Sequence, residues 1–233
     1  MIEQNTLRPN HPISVKLLDL ATRILPSTFF LYVVLLKLVE LNAFFRSHQQ
    51  QNEPGSWKFL VEGVSRSSTV CFLALMTVLF LFRLEPVEKA KRIVPRVMAI
   101  VGTFSLALIT LFPRANLSMT QSIVASSISS VGTAMSIIAL AYLGRSFSLM
   151  AEARRLVTTG PYRIVRHPLY LFEEVAALGI LLQFFSFSTA LIFLAHILIQ
   201  LQRMRNEETV LEKAFPEYQA YRSRTAKVIP KFY

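Results

Sequence analysis

His196, Gln200, Arg203 and Glu207 recur at intervals of four, three and four residues. At 100° per residue on an α-helix they fall within about 60° of one another, forming one stripe. The stripe starts inside an apolar stretch and runs out into a polar tail. A lone histidine on an apolar helix is ordinarily a packing residue. An imidazole, an amide, a guanidinium and a carboxylate in line fit the wall of a polar cavity better. A guanidinium in such a wall can grip a carboxylate through two parallel donors, and a carboxylate one turn further on can hold cations or hydroxyls.

The segment 154–170 supplies a second set: Arg154, Arg155, Leu156, Val157, Tyr162, His167, Pro168, Leu169 and Tyr170. Gly160-Pro161 and His167-Pro168 dictate two turns, and Pro168 suits the first turn of a following helix. Such a loop can hold a polar ligand at the exposed backbone of the helix start, or it can be a basic loop snorkelling at a membrane surface. Two further charged pairs lie in apolar surroundings. Lys37 and Glu40, at i and i+3, can neutralise each other. Glu173 and Glu174 stand in the first turns after Pro168, where negative charge suits the helix dipole; they fit a structural role or a ligand contact.

The elements that carry these residues are membrane helices. Of 233 residues 53% are hydrophobic and only 17% charged, against roughly a quarter in a soluble domain. One cysteine and four scattered histidines argue against a disulfide scaffold or a Cys/His metal site. Six stretches read as spans, at roughly 24–45, 67–82, 97–112, 122–143, 168–185 and 188–202. The last two are joined by almost nothing and are expected to form a tight helical hairpin. Ser122, Ser126, Ser129, Thr133 and Ser136 make a small polar stripe on the fourth, the pattern of close helix packing in lipid. The first apolar run is too long and starts too late for a removable signal peptide. With the N-terminus in the cytoplasm, twenty Lys and Arg fall inside, against four outside (Arg46, Lys58, Arg66, Arg114). That places both termini in the cytoplasm and accounts for the net charge of +11 without nucleic acid.

Leu156-Val157-x-x-Gly160-Pro161-Tyr162-x-x-x-Arg166-His167-Pro168-x-Tyr170 is followed by Arg203-x-x-x-Glu207-Glu208-x-x-Leu211 and by Phe215, Tyr218 and Tyr221. Over roughly residues 140–233 this combination resembles the isoprenylcysteine carboxyl methyltransferase family, integral-membrane enzymes related to phospholipid methyltransferases. Phe172 and Pro216 stand where the family often has glycine, and Arg154 and Arg155 match by position alone. The resemblance implies S-adenosylmethionine as methyl donor, bound by Arg154, Arg155, Leu156, Val157, Tyr162, His167, Pro168, Leu169, Tyr170 and Glu207. It implies that Arg203 engages the acceptor carboxylate; His196 and Gln200, beside it on the stripe, are read as substrate-binding, and Arg203 and Glu207 are the expected catalytic pair.

The expected fold is therefore an all-α integral membrane protein of about six transmembrane helices with a cytoplasmic C-terminal cofactor-binding region. Residues 1–120 would form N-terminal membrane helices. Residues 121–233 would form the catalytic core, with a cofactor loop at 144–170 and a helical tail at 203–233. The expected partners are membrane lipids and a prenylated or other lipid-like acceptor entering from the bilayer; no nucleic acid and no metal are expected. An NADPH-dependent sterol-type reductase shares the Arg-His-Pro-x-Tyr element and an Ile229-Pro230-Lys231-Phe232-Tyr233 type of ending. A non-catalytic membrane subunit or transporter is a third reading, with Lys37, Glu40 and His196 lining a path.

Overall fold

The computed structural model describes residues 13–50 and 56–230. Arg8, Lys231 and the last two residues of the Ile-Pro-x-x-Tyr ending lie outside the described residues. The chain is built from helices: α1 (Ile13–Gln50), α2 (Trp57–Phe82), α3 (Ile93–Phe104, continued to Leu111 as a 3-10 helix), α4 (Met119–Leu143), α5 (Pro168–Gln183), α6 (Phe187–Ala214) and a short α7 (Tyr218–Arg224). Two-residue strands, β1 (Glu88–Lys89) and β2 (Glu152–Ala153), pair antiparallel at the loop end of the bundle.

Among the described residues five helices are long and apolar enough to cross a bilayer: Thr22–Gln49, Trp57–Phe82, Ile93–Leu111, Met119–Ser146 and Phe187–Ala214. Their outer faces are lined with large exposed apolar side chains such as Leu35, Val64, Val131 and Leu198, as lipid contact requires. This is an integral membrane protein. The expected fifth span is α5, which has 16 residues, or about 24 Å at 1.5 Å per residue. It falls short of the ~30 Å hydrocarbon core. The sixth extends well past its apolar stretch, because the polar stripe continues on the same helix to Ala214.

Small residues decide the packing. A Cβ on Gly132 would stand 2.3 Å from the backbone nitrogen of Ala176, and one on Gly179 2.5 Å from that of Ser129. Thus α4 and α5 touch backbone to backbone, and Ser129 Oγ donates to the Ala176 carbonyl at 3.2 Å. Ser129, in the middle of the serine stripe, thus lies in a packing seam, while Thr133 and Ser136 further along it line a cavity. The short connection between α5 and α6 exists, but it does not make a tight helical hairpin: α5 lies along α4, while α6 leans on α3 and its 3-10 extension. The reason is that α5 has its glycine and alanine face turned to α4. The gap this leaves between α5 and α6 is where the polar stripe sits.

Interior aromatics fix the other side. Phe30 stacks on Phe80, whose ring meets Phe147 edge-on. Phe172 packs against this cluster. Of the paired phenylalanines on α1, Phe29 and Phe45 are exposed, while Phe30 and Phe44 are buried. Lys37 and Glu40 do pair, with Nζ 2.8 Å from the nearer carboxylate oxygen.

Candidate active site

Each helix start around the site is set locally. His167 precedes α5 with Pro168 in its first turn, buried against the bundle. Gly160 takes φ +58°, and a Cβ there would meet the Tyr142 ring at 2.3 Å, so only glycine lets the loop turn against α4. The C-terminal segment then laces onto this loop. The amides of Arg166 and His167 donate to the carbonyls of Ala226 and Lys227 at 2.8 and 3.0 Å. Tyr221, buried on α7, donates its hydroxyl to the Tyr162 carbonyl at 2.6 Å. Burial pushes the Tyr221 phenol up to about 12, so it remains a donor at neutral pH. Burial, with the Glu207 carboxylate adding to it, raises the Tyr162 phenol still further.

A cavity of ≈ 380 Å³ opens between α2, α3, α4, α5, α6 and the loop. His196, Gln200, Arg203 and Glu207 all reach its wall, so the helical stripe is a cavity wall. From the loop come Arg154, Arg155, Leu156, Val157, Tyr162 and His167, and from the first turn of α5 Leu169 and Tyr170. Pro168 is not brought to the wall; it orders the helix start instead. Phe172, in the aromatic cluster, is also away from the wall.

Arg203 is held from several sides. Its Nη1 donates to Gln200 Oε1 at 2.7 Å and its Nη2 to the Leu149 carbonyl at 3.3 Å. The guanidinium stands 5.3 Å from the centroid of the Tyr170 ring, within cation–π range. Helix α3 lets it in: a Cβ on Gly102 would lie 2.7 Å from Arg203 Cδ. Tyr170 donates its hydroxyl to Glu207, so the two groups expected to hold a donor molecule are bonded to each other. Glu152 accepts from Arg154, whose guanidinium is buried, while Arg155 is exposed.

Spacing alone missed Glu208. Its Oε1 takes Arg166 Nε at 2.9 Å and His167 Nε2 at 3.1 Å, tying α6 to the loop. The signal was the adjacent Glu207-Glu208 pair: consecutive residues on a helix point about 100° apart, so one faces the cavity and the other must find another partner. Glu173 also lies on the wall. Glu174 comes within 2.9 Å of His196 Nε2, and Ser105 Oγ lies 2.7 Å from His196 Nδ1. No group of three or more His, Cys, Asp or Glu side chains among the described residues is placed to hold a metal ion.

Known proteins resemble the chain over part of its length. The chain is 36% identical over 99 residues to the cobalt-zinc-cadmium resistance protein CzcN of Cupriavidus metallidurans, covering 40% of this chain and 46% of that one. It is 35% identical over 82 residues to the nickel-cobalt-cadmium resistance protein NccN of Alcaligenes xylosoxydans xylosoxydans, covering 34% and 38%. The match thus spans less than half the length of each relative. Residues 125–213, from the packing seam of α4 to the end of the polar stripe on α6, match the isoprenylcysteine carboxyl methyltransferase (ICMT) family.

Proposed function

We propose that the protein is an S-adenosylmethionine-dependent methyltransferase of the membrane. Its acceptor is read as the carboxylate of an isoprenylcysteine or of a similar lipid-like molecule. The observation that carries this is Arg203: a buried guanidinium, fixed from several directions, on the wall of a cavity shared with the loop 154–170.

The cavity fits the donor. Its volume lies in the range of small-molecule sites, ~300–1,000 Å³. The hydroxyls of Ser146, Tyr162 and Tyr218 line it and are buried without a protein partner, which suits a ligand rich in hydroxyls and ring nitrogens. Leu156, Val157 and Leu169 offer apolar surface to an adenine ring, with His167, Tyr170, Arg154 and Arg155 around them. Glu207 offers a carboxylate to ribose hydroxyls or to an ammonium group. Bound S-adenosylmethionine would supply an electrophilic methyl group.

The chain's own task is then placement. A carboxylate acceptor is ionised at neutral pH and needs no general base. Arg203 draws it out of water and aims it, and near-attack positioning provides most of the rate. The apolar part of the wall, from Leu73, Met76 and Ile180, receives the lipid portion from the bilayer and keeps water out.

Two measurements test this. In a thermal-shift assay in detergent, S-adenosylhomocysteine should stabilise the protein and NADPH should not; the opposite result would return the reductase reading. Methyl transfer from labelled donor to an isoprenylcysteine analogue should then be detected.

A further inference from the structure

We infer that a second cavity, in the half of the bundle away from Arg203, binds the phosphate of an anionic phospholipid through Arg66 and Arg114.

This cavity, of ≈ 310 Å³, lies between α1, α2, α4, the end of α5 and the loop that follows α3. Its place along α4 sets it apart from the first. Ser126, Ser129 and Thr133 line it, whereas Thr133, Ser136 and Leu143 line the other. Five charged side chains reach its wall: Lys37, Glu40, Glu62, Arg66 and Arg114. Lys37 and Glu40 answer each other at 2.8 Å. That leaves two guanidiniums and one carboxylate. Glu62 stands 4.0 Å from Arg66, beyond hydrogen-bond distance. Among the described residues Arg114 meets an aromatic ring and no carboxylate.

Both guanidiniums are held in place. Arg66 lies 4.6 Å from the centroid of the Phe44 ring, which itself stacks on Phe59. Arg114 lies 5.3 Å from the centroid of Phe184. Next to it, the Ala115 amide donates to the Gln183 carbonyl at 3.0 Å and pins this loop to the end of α5. Neither side chain can shed its charge.

Depth and surroundings point to a lipid. Arg66 lies about 14 Å along α2 from Trp57, on a helix long and apolar enough to cross the bilayer. A cation at that level is costly unless an anion completes it. Leu38 and Phe45 on α1, with Leu60 and Val64 on α2, are exposed within two turns of these charges and offer acyl chains a surface. A phospholipid brings its phosphate there from within the leaflet, while free phosphate would have to leave water. Two planar forks match phosphate oxygens. The unanswered charge is positive, so a headgroup with its own cation would cancel the attraction, and a net anion is selected.

The test is native mass spectrometry of the full chain in detergent, titrated with phosphatidylglycerol, phosphatidylcholine and sn-glycerol 3-phosphate. Phosphatidylglycerol should bind roughly ten- to hundredfold more tightly than phosphatidylcholine, the size of one charge-assisted contact. Arg66→Gln with Arg114→Gln should abolish that preference. Arg114→Gln alone, in a loop and verified as folded by circular dichroism and size exclusion, should lower it about tenfold, and Arg114→Lys should keep part of it. Lys89→Gln with Lys91→Gln, exposed at the other end of the bundle, should leave it as in wild type. Equal binding of the two lipids, or a preference unchanged in Arg114→Gln, overturns the inference. So does a loss as large in the Lys89 and Lys91 variant, which would mean general attraction to basic surface. Glycerol phosphate bound as tightly as phosphatidylglycerol would mean a soluble anion and overturns it too.

Discussion

Arg203 and Glu207 sit one turn apart on α6, yet their partners differ, and so should the effects of changing them. Arg203 meets Gln200, the Leu149 carbonyl and the Tyr170 ring; Glu207 meets the Tyr170 hydroxyl. Arg203→Ala should spare donor affinity and lower transfer efficiency by about 30- to 4000-fold, the loss of ~2–5 kcal/mol from a desolvated charge pair. Arg203→Lys should rescue poorly, because an ammonium cannot reproduce the planar fork. Glu207→Gln should instead raise the donor's dissociation constant in calorimetry. The reverse pattern would mean the two roles are exchanged. Glu208 has a different task, since it faces Arg166 and His167 rather than the cavity. Glu208→Gln leaves two buried donors short of their counter-charge and should destabilise the fold by ~3 kcal/mol. It should also weaken donor binding, because His167 begins α5. A melting temperature equal to wild type would show that Arg166, through the Thr225 and Arg222 carbonyls, holds the seam unaided.

Among the helices, the contact that positions everything else is α4 against α5. It has no room: the Cβ positions at Gly132 and Gly179 fall on backbone atoms of the opposite helix. Gly132→Val should therefore push α5 away, at a cost of ~1–3 kcal/mol or more, and carry Tyr170 and Glu173 with it. Val131→Leu, one residue earlier and turned to lipid at 60% exposure, should be nearly silent. Thermal stability in detergent and donor affinity, measured on both variants, separate the two. If Gly132→Val behaves like Val131→Leu, the seam is not what sets the distance between α5 and α6. The divergence of α5 and α6 follows from the same packing. Each prefers another partner, and the polar residues that neither can bury in lipid face the space between them.

Across the whole molecule, the site lies at one end of the bundle, where β1, β2, the loop 144–167 and α7 gather. The surplus of Lys and Arg falls at this end, in Lys89, Lys91, Arg92, Arg96, Arg154, Arg155, Arg163 and Arg166. We propose from this charge that the end faces the cytoplasm, where a water-soluble donor would be available. Reporter fusions at residue 115 and at the C-terminus should accordingly report opposite sides of the membrane. Reports from the same side would overturn the six-span arrangement. The 16 residues of α5 make this a sharp test, since only a crossing at α5, or an equivalent re-entry, gives opposite sides.

The sequence by itself determined the class of molecule and which polar residues share one helix face. Hydrophobic length alone compels helices in lipid, because every backbone group must be satisfied within the segment. The period of 3.6 alone puts His196, Gln200, Arg203 and Glu207 on one wall, since that depends only on local geometry. The Gly160-Pro161 and His167-Pro168 turns were legible for the same reason. What the tertiary structure decided was who meets whom across elements. Chain proximity suggests that α5 pairs with α6, but the glycines choose α4. Adjacent glutamates look equivalent, yet Glu207 turns to Tyr170 and Glu208 to Arg166 and His167. Residues 174 and 196, separated by 22 positions, meet at 2.9 Å because the two helices splay around a cavity. Pairings of this kind depend on helix separation and rotation, which are set by the sum of all packing contacts and are written in no local pattern.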